Sequence, residues 1–185
     1  MNFLFKSNEK IEDYNLHNTK KFSLNVLFKD ELVNTRVVNI YDGDTITCIL
    51  PINNTFCNFK IRLADIDTCE IKSKHEENKL LAFQAKKRLC QLIIPDFNFT
   101  DENNKELNKE LDKLLNEKCY MIKIKLGEFD LYGRVLGWLY DQKADIKTPI
   151  EESFNHILIN EHLAYKYGGK TKLSDNDQVD LLNIF

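Results

Sequence analysis

Hydrophobic positions along the chain become periodic only after residue 31. Residues 1–31 are polar and rich in asparagine, with apolar patches at Phe3–Phe5 and Phe22–Phe28. They carry neither a helical nor a strand period, which predicts a partly ordered amino-terminal arm. Beyond it, Val33, Val37, Val38 and Ile40 mark a β-strand, Asp42-Gly43 a turn, and the β-branched run Thr45–Leu50 a second strand. After a polar turn at Pro51–Thr55, Phe56–Ala64 alternates, with Phe59, Ile61 and Leu63 on one face. These three segments predict an antiparallel meander.

A helical period follows. Leu81, Ala85, Leu89 and Leu92 recur within Ser73–Ile93, with Lys79, Lys86, Lys87 and Arg88 on the other faces, and Pro95 ends the run. Asp96–Glu117 looks inserted: Leu107, Leu111, Leu114 and Leu115 form a second amphipathic pattern amid Lys and Glu. It reads as a charged helix packed on the surface, with a lid or a partner contact through 96–117 as the alternative. Cys119–Leu126 alternates as a half-buried strand, and Leu131–Tyr140 is another. Ser153–Ala164 reads as a helix with Ser153 as a cap, terminated by Gly168-Gly169, and Ser174 caps a short last helix. The pattern predicts an α+β, mainly β domain over 32–185. Its plan is a closed five-stranded antiparallel barrel of OB type, with a helix after strand three and helices at the carboxyl end.

Composition adds limits. At 185 residues and 43% hydrophobic, the chain can bury a core as one domain. No apolar run approaches the roughly 20 residues of a membrane span. The run at Phe3–Phe5 is too short for the core of a signal peptide, so an intracellular monomer is the expectation. The cysteines Cys48, Cys57, Cys69, Cys90 and Cys119 are irregularly spaced, lack a Cys-x-x-Cys pair, and read as reduced, mostly core residues rather than a zinc site. Lysines number 22 and arginines 4, and the net charge is -3. Such a balance gives no global basic footprint for nucleic acid.

Three stretches carry candidate chemistry: Asp42-Gly43-Asp44-Thr45, then Arg62-Leu63-Ala64-Asp65-Ile66-Asp67-Thr68-Cys69-Glu70, then Asp130-Leu131-Tyr132-Gly133-Arg134. Taken singly, each has an ordinary structural reading: a turn, a solvated strand end, a surface cation. Together they suggest more. Asp44 follows the first strand and Asp67 the third, positions that converge at one end of a meander. Two carboxylates brought that close repel unless protonated or bridged by a cation, and Ca²⁺ or Mg²⁺ favours such oxygen ligands. Glu70 can face the same site as a base, and Arg62 and Arg134 offer planar forks suited to a phosphate.

This ordered set resembles the staphylococcal nuclease (thermonuclease) family over most of residues 32–168, through Val37–Leu50, Phe59–Glu70, Ala82-Phe83, Lys123–Tyr140 and Phe154–Ala164. The resemblance implies a Ca²⁺-dependent endonuclease that hydrolyses phosphodiester bonds of DNA or RNA with little sequence choice. It implies Asp44, Asp67 and the backbone carbonyl of Thr68 as metal ligands, with Asp42 behind them. Glu70 matches the residue that activates or orients water, and Arg62 and Arg134 the two that bind the scissile phosphate. Tyr132 matches a tyrosine that contacts a terminal phosphate. Cys69 stands where the family often has proline, and Leu131 where the type protein has lysine. The competing reading is a catalytically weak nucleic-acid- or protein-binding module on the same fold, which the acidic balance favours and the retained acids and arginines oppose.

Overall fold

A computed structural model of the chain describes residues 31–52, 54–95, 97–100 and 103–183. The arm expected at 1–31 falls outside these residues except for Glu31. Strands β1 (Val33–Ile40), β2 (Thr45–Ile52), β3 (Thr55–Leu63), β5 (Tyr120–Phe129) and β6 (Val135–Tyr140) close into a barrel in the order β1-β2-β3-β6-β5. Two short strands, β4 (Ile66–Asp67) and β7 (Tyr165–Lys166), pair with each other beside it. The helices are α1 (Glu76–Ile93), α2 (Asn104–Glu117), α3 (Phe154–Asn160) and α4 (Asp175–Leu182). The class is α+β, mainly β. Among the described residues no helix is long and apolar enough to cross a membrane.

The barrel is mixed, not wholly antiparallel as expected. Four of its junctions are antiparallel, but β3 and β6 pair in parallel through Ile61↔Val135, Arg62↔Leu136 and Leu63↔Gly137. Parity is the reason. Strands that alternate direction around a closed ring must be even in number, so a ring of five leaves one parallel seam. That seam is short, and two features hold it. A Cβ on Gly137 would lie 2.8 Å from Ile61 Cγ2 and 3.0 Å from Ile124 Cγ2, so bare backbone lets the strands approach. Beyond it, the Ala64 amide donates to the Gly137 carbonyl at 2.9 Å. Buried Asn155, on α3, then donates to the carbonyls of Ala64 (2.9 Å) and Gly137 (3.0 Å) and accepts from the Leu139 amide (3.1 Å). One side chain thus satisfies three buried backbone groups where the ladder ends.

Inward-facing residues of all five strands, among them Val37, Ile46, Ile61, Ile124 and Val135, meet Leu89 of α1 and Leu158 of α3 in one core. The inserted helix joins that core. Leu107, Leu111 and Leu115 recur every fourth residue, so they share one face, and they are 0%, 2% and 4% exposed. Asn103 caps the helix by accepting from the Lys105 amide, and α2 lies against β1, where Arg36 Nη2 donates to the Leu115 carbonyl at 3.3 Å. The apolar face that made a partner contact conceivable is therefore covered by the barrel.

Local departures have local causes. Residues 130–134 form a hairpin turn rather than the opening of a strand. Gly133 takes φ 77°, and Asp130 Oδ1 accepts from the amides of Tyr132 and Arg134 at 2.8 and 2.9 Å. Helix α3 starts at the Ser153 cap as expected but stops at Asn160, short of Ala164, and His162 then turns left-handed at φ 56°. Ser174 caps α4 through the Asp177 amide. All five thiols are free, with Cys48, Cys69 and Cys90 buried, Cys57 half-buried and Cys119 exposed. Burial pushes the Cys48 and Cys90 thiols up to about 12 and that of Cys69 to about 11, which makes them inert packing groups.

Because α2 is part of the core, Leu111→Ala should lower folding stability by about 2–5 kcal/mol, read as a reduced urea midpoint at unchanged slope. A midpoint within experimental error of wild type would mean that α2 is only laid on the surface.

Candidate functional site

The turn between β1 and β2 carries Asp42, Gly43 and Asp44. It closes where the Tyr41 amide donates to the Thr45 carbonyl at 2.9 Å, and the Asp44 amide donates to Asp42 Oδ1 at 3.1 Å. A Cβ on Gly43 would sit 2.7 Å from Ala85 Cβ and 3.1 Å from Thr68 Cγ2. The turn is thus pressed against α1 and the segment after β4, and only glycine permits that approach. This contact fixes both aspartates relative to Thr68.

Arg62, at the end of β3, stands between the two candidate ligands. Its Nη1 lies 3.0 Å from Asp44 Oδ2 and its Nη2 2.6 Å from Asp67 Oδ1, and all three side chains are buried. Asp44 Oδ1 also accepts from the Thr45 hydroxyl at 2.9 Å. Its Oδ2 accepts from the amide and hydroxyl of Thr68 at 3.3 and 3.2 Å. Asp67 accepts through Oδ2 from the Tyr165 hydroxyl, and Lys172 Nζ lies 3.1 Å from its Oδ1. A buried charge is tolerated only when paired, and every oxygen of this pair is engaged.

Around this buried ion cluster opens a cleft of about 650 Å³. Asp42, Asp44, Arg62, Glu70, Tyr132 and Arg134 line it, along with Tyr167 and Lys172. Six of the eight side chains singled out in the sequence thus share one cavity, although they come from separate stretches of chain. Asp67 and Thr68 lie beneath it at 0% and 2% exposure. Glu70 is half exposed and hydrogen-bonded by Lys172 Nζ. Arg134 is held by Asp130, Nε to Oδ2 at 2.7 Å, and its guanidinium lies 5.6 Å from the centre of the Tyr132 ring. Leu131 points away at 99% exposure.

Charges of both signs meet in the site. The carboxyl groups of Asp42, Asp44, Asp67 and Glu70 face Arg62 and Lys172, and Lys60, Arg134 and Lys170 also line the cleft. Burial, then the charge of Asp44 and a hydrogen bond with it, pushes Asp42 up to about 7. Burial also raises Asp67, against the Tyr165 hydrogen bond and the charges of Lys172 and Arg62. Burial opposes the charge on Lys172, but its bond to Glu70 and the charge of Asp67 outweigh it and raise its pKa. Among the described residues no three His, Cys, Asp or Glu side chains are grouped as a ready metal site. Asp44 and Asp67 offer hard carboxylate oxygens of the kind an oxygen-seeking divalent cation takes, and the Arg62 guanidinium stands between them.

Comparison with protein-family models gives no match for this chain, and no curated protein matches it.

Three contributors escaped the sequence reading. Tyr165 is buried on Asp67, and Tyr167 lines the cleft wall. Lys172 was one lysine among many, since nothing in the sequence marks it as the partner of Glu70. Asn155 resembled any polar helix residue. Of the lysines, Lys60, Lys170 and Lys172 line the cleft, while Lys79 pairs with Glu76 and Lys86 is buried.

The Asp42 shift carries a sign. A folded-state value of about 7, against an ordinary 3.8, means the folded protein holds a proton that the unfolded chain releases near pH 4. This contribution to stability is complete below about pH 4 and is lost as pH rises toward about 7. In EDTA, the stability of wild type relative to Asp42→Asn should therefore fall between pH 4.5 and 7.5, measured by urea denaturation. Parallel pH profiles for the two proteins would disprove the shift.

Proposed function

We propose that this protein is a metal-dependent phosphodiesterase of the staphylococcal nuclease type, built on an OB-type barrel and cutting DNA or RNA as a monomer with little sequence choice. One observation carries the reading: Asp42, Asp44, Arg62, Glu70, Tyr132 and Arg134 line a single cleft. The strand order, with its parallel closure between β3 and β6 and a helix after β3, supports the OB-type assignment. The described residues include no ready three-ligand cluster of His, Cys, Asp and Glu, so the cation rests on the oxygen donors alone.

The chemistry follows from these groups. Asp44, Asp67 and the Thr68 carbonyl would hold Ca²⁺ or a similar cation, whose contribution is to neutralise phosphate charge and acidify a water. Glu70, at the cleft surface, takes the proton of the attacking water as its oxygen approaches phosphorus opposite the leaving oxygen. Arg134 and Arg62 donate hydrogen bonds to the equatorial phosphate oxygens, where charge accumulates in the transition state. A guanidinium offers two parallel donors there and an ammonium cannot, so arginine is specifically required in a chain this rich in lysine. Tyr132 carries Arg134 on its ring and borders the path of a phosphate.

A binding module on the same barrel is the second reading. It is favoured by the ion pairs that engage Glu70 with Lys172 and Arg62 with both aspartates. Cleavage of labelled single-stranded DNA and RNA with Ca²⁺, Mg²⁺ or EDTA separates the two. Cation-dependent cutting is expected, with Glu70→Gln and Arg134→Lys each slower by about 10²-fold or more and still folded. Arg62→Lys should lose both rate and stability, because its two buried partners keep their charge without the fork. Failure of wild type to cut either polymer with any cation, with binding retained in Glu70→Gln, would transfer the assignment to the binding module.

A further inference from the structure

The cations of the cleft are not equivalent. Arg62 is committed to Asp44 and Asp67, Lys172 to Glu70 and Asp67, and Arg134 to Asp130. Lys60 and Lys170 line the same cleft, and among the described residues neither ammonium has an ion pair or a hydrogen bond. Of the two, Lys60 is placed by the barrel itself, on β3, whereas Lys170 sits in the segment after β7. We propose that Lys60 holds the phosphate adjacent to the scissile one, so that the cleft is matched to a polynucleotide strand and not to a single phosphodiester. The inference rests on the phosphodiesterase reading for the identity of the neighbouring phosphate.

The strand sets where this cation stands. Side chains of a strand alternate, so Asn58, Lys60 and Arg62 share one face of β3, while Phe59 and Ile61 turn to the core. Two residues of strand separate the backbone origins of Lys60 and Arg62 by about 6.6 Å. That step is close to the spacing of successive phosphates along an extended single strand. The parallel seam adds a second reference. Ile61 pairs with Val135 and Arg62 with Leu136, so one further step in the same register sets Lys60 beside Arg134. Lys60 thus neighbours both arginines assigned to the scissile phosphate, one along β3 and one across to the turn between β5 and β6.

Charge and chemistry agree with this placement. Three positive groups in one part of the cleft repel one another, and an anion among them removes that repulsion. Of the acids lining the cleft, Asp44 is occupied by Arg62 and Glu70 by Lys172, which leaves Asp42. The core makes no use of the Lys60 side chain, which is exposed. Arg62 and Arg134 present planar forks, suited to the group that reacts and must be aligned. A lysine is a point charge on a flexible stem, suited to a phosphate that has only to be held. A phosphate contact carries no base information, in keeping with a strand bound with little sequence choice.

The test reads salt dependence, which counts phosphate contacts. A fluorescein-labelled thymidine dodecamer is titrated with the full-length protein in EDTA at several NaCl concentrations and followed by anisotropy. Each contact to a single strand contributes about 0.7 to the slope of log K against log salt. Lys60→Ala should flatten the slope by about 0.7 and weaken binding about fivefold to tenfold at about 50 mM NaCl. Its urea midpoint should stay at the wild-type value, since the side chain is exposed. Lys60→Arg, which keeps the charge, should retain the wild-type slope. Lys143→Ala removes an exposed lysine that does not line the cleft and controls for net charge, so its slope should match wild type. An unchanged slope in Lys60→Ala would overturn the subsite even if wild type cuts DNA. Equal flattening in Lys143→Ala would overturn it too, by reducing Lys60 to its share of the net charge. Absence of wild-type binding at about 50 mM NaCl would overturn it whatever the cleavage assay gives. A slope flattened in Lys60→Ala alone, without cutting under any cation, would keep Lys60 as a phosphate contact and overturn the phosphodiesterase reading.

Discussion

The closure of five strands into a ring depends on three residue pairs between β3 and β6, and the candidate site depends on that closure. Arg62 lies in the parallel seam opposite Leu136, and Arg134 lies in the hairpin turn just before β6 begins. Drawing β6 against β3 therefore brings two arginines from distant stretches to one cleft. The cost of so short a seam is a set of backbone groups at its end with no strand partner, and Asn155 satisfies them. Gly137 has to be small for the strands to meet at all. A loss at either position would reach the cleft without touching any group that lines it, by loosening the register that holds Arg62.

Charge explains why this region is built so tightly. Burying Asp44, Asp67 and Arg62 together is unfavourable unless each charge finds partners, and the structure supplies them from β2, β4, the Thr68 segment and β7. The result is a rigid cluster under a polar cleft. Burial and the charge of Asp44 push Asp42 up to about 7, so it too is held at a cost when charged. Lys172 adds a further positive charge, pairing with both Asp67 and Glu70. The same contact would hold Glu70 away from a water, so the loop carrying Lys172 belongs to any account of how the site works.

Much of this was legible in the sequence. The strands, α1, the caps at Ser153 and Ser174, and the amphipathic face of α2 follow from periodicity and capping chemistry, which are local. The convergence of Asp44, Arg62, Glu70 and Arg134 was legible because motif residues sit at the ends of elements whose order the pattern predicts. The parallel seam was in principle legible too, since an odd number of strands cannot alternate around a closed ring. What stayed hidden was non-local and chemically undistinguished. A lysine among 22 gives no sign that it will pair with Glu70, and an asparagine in a helix gives none that it will bridge two strands. Tyr165 and Tyr167 stand two residues apart with nothing in the sequence to tell them apart, yet one is buried on Asp67 and the other lines the cleft.

The inserted helix joins these arguments. Its leucines complete the core, so its presence is a matter of stability; its asparagines line a cavity beside the cleft, so its placement shapes that side of the site as well. One stripe of the helix does both: Asn104 and Asn108, a turn apart, share the face that carries Leu107, Leu111 and Leu115, and Asn108 is bonded there by Lys86 of α1. Two buried polar atoms among the described residues lack a partner, Asn104 Oδ1 in the first turn of α2 and Arg36 Nε beside its last turn, so both costs fall at the ends of the inserted helix, where it is fitted against the rest of the fold.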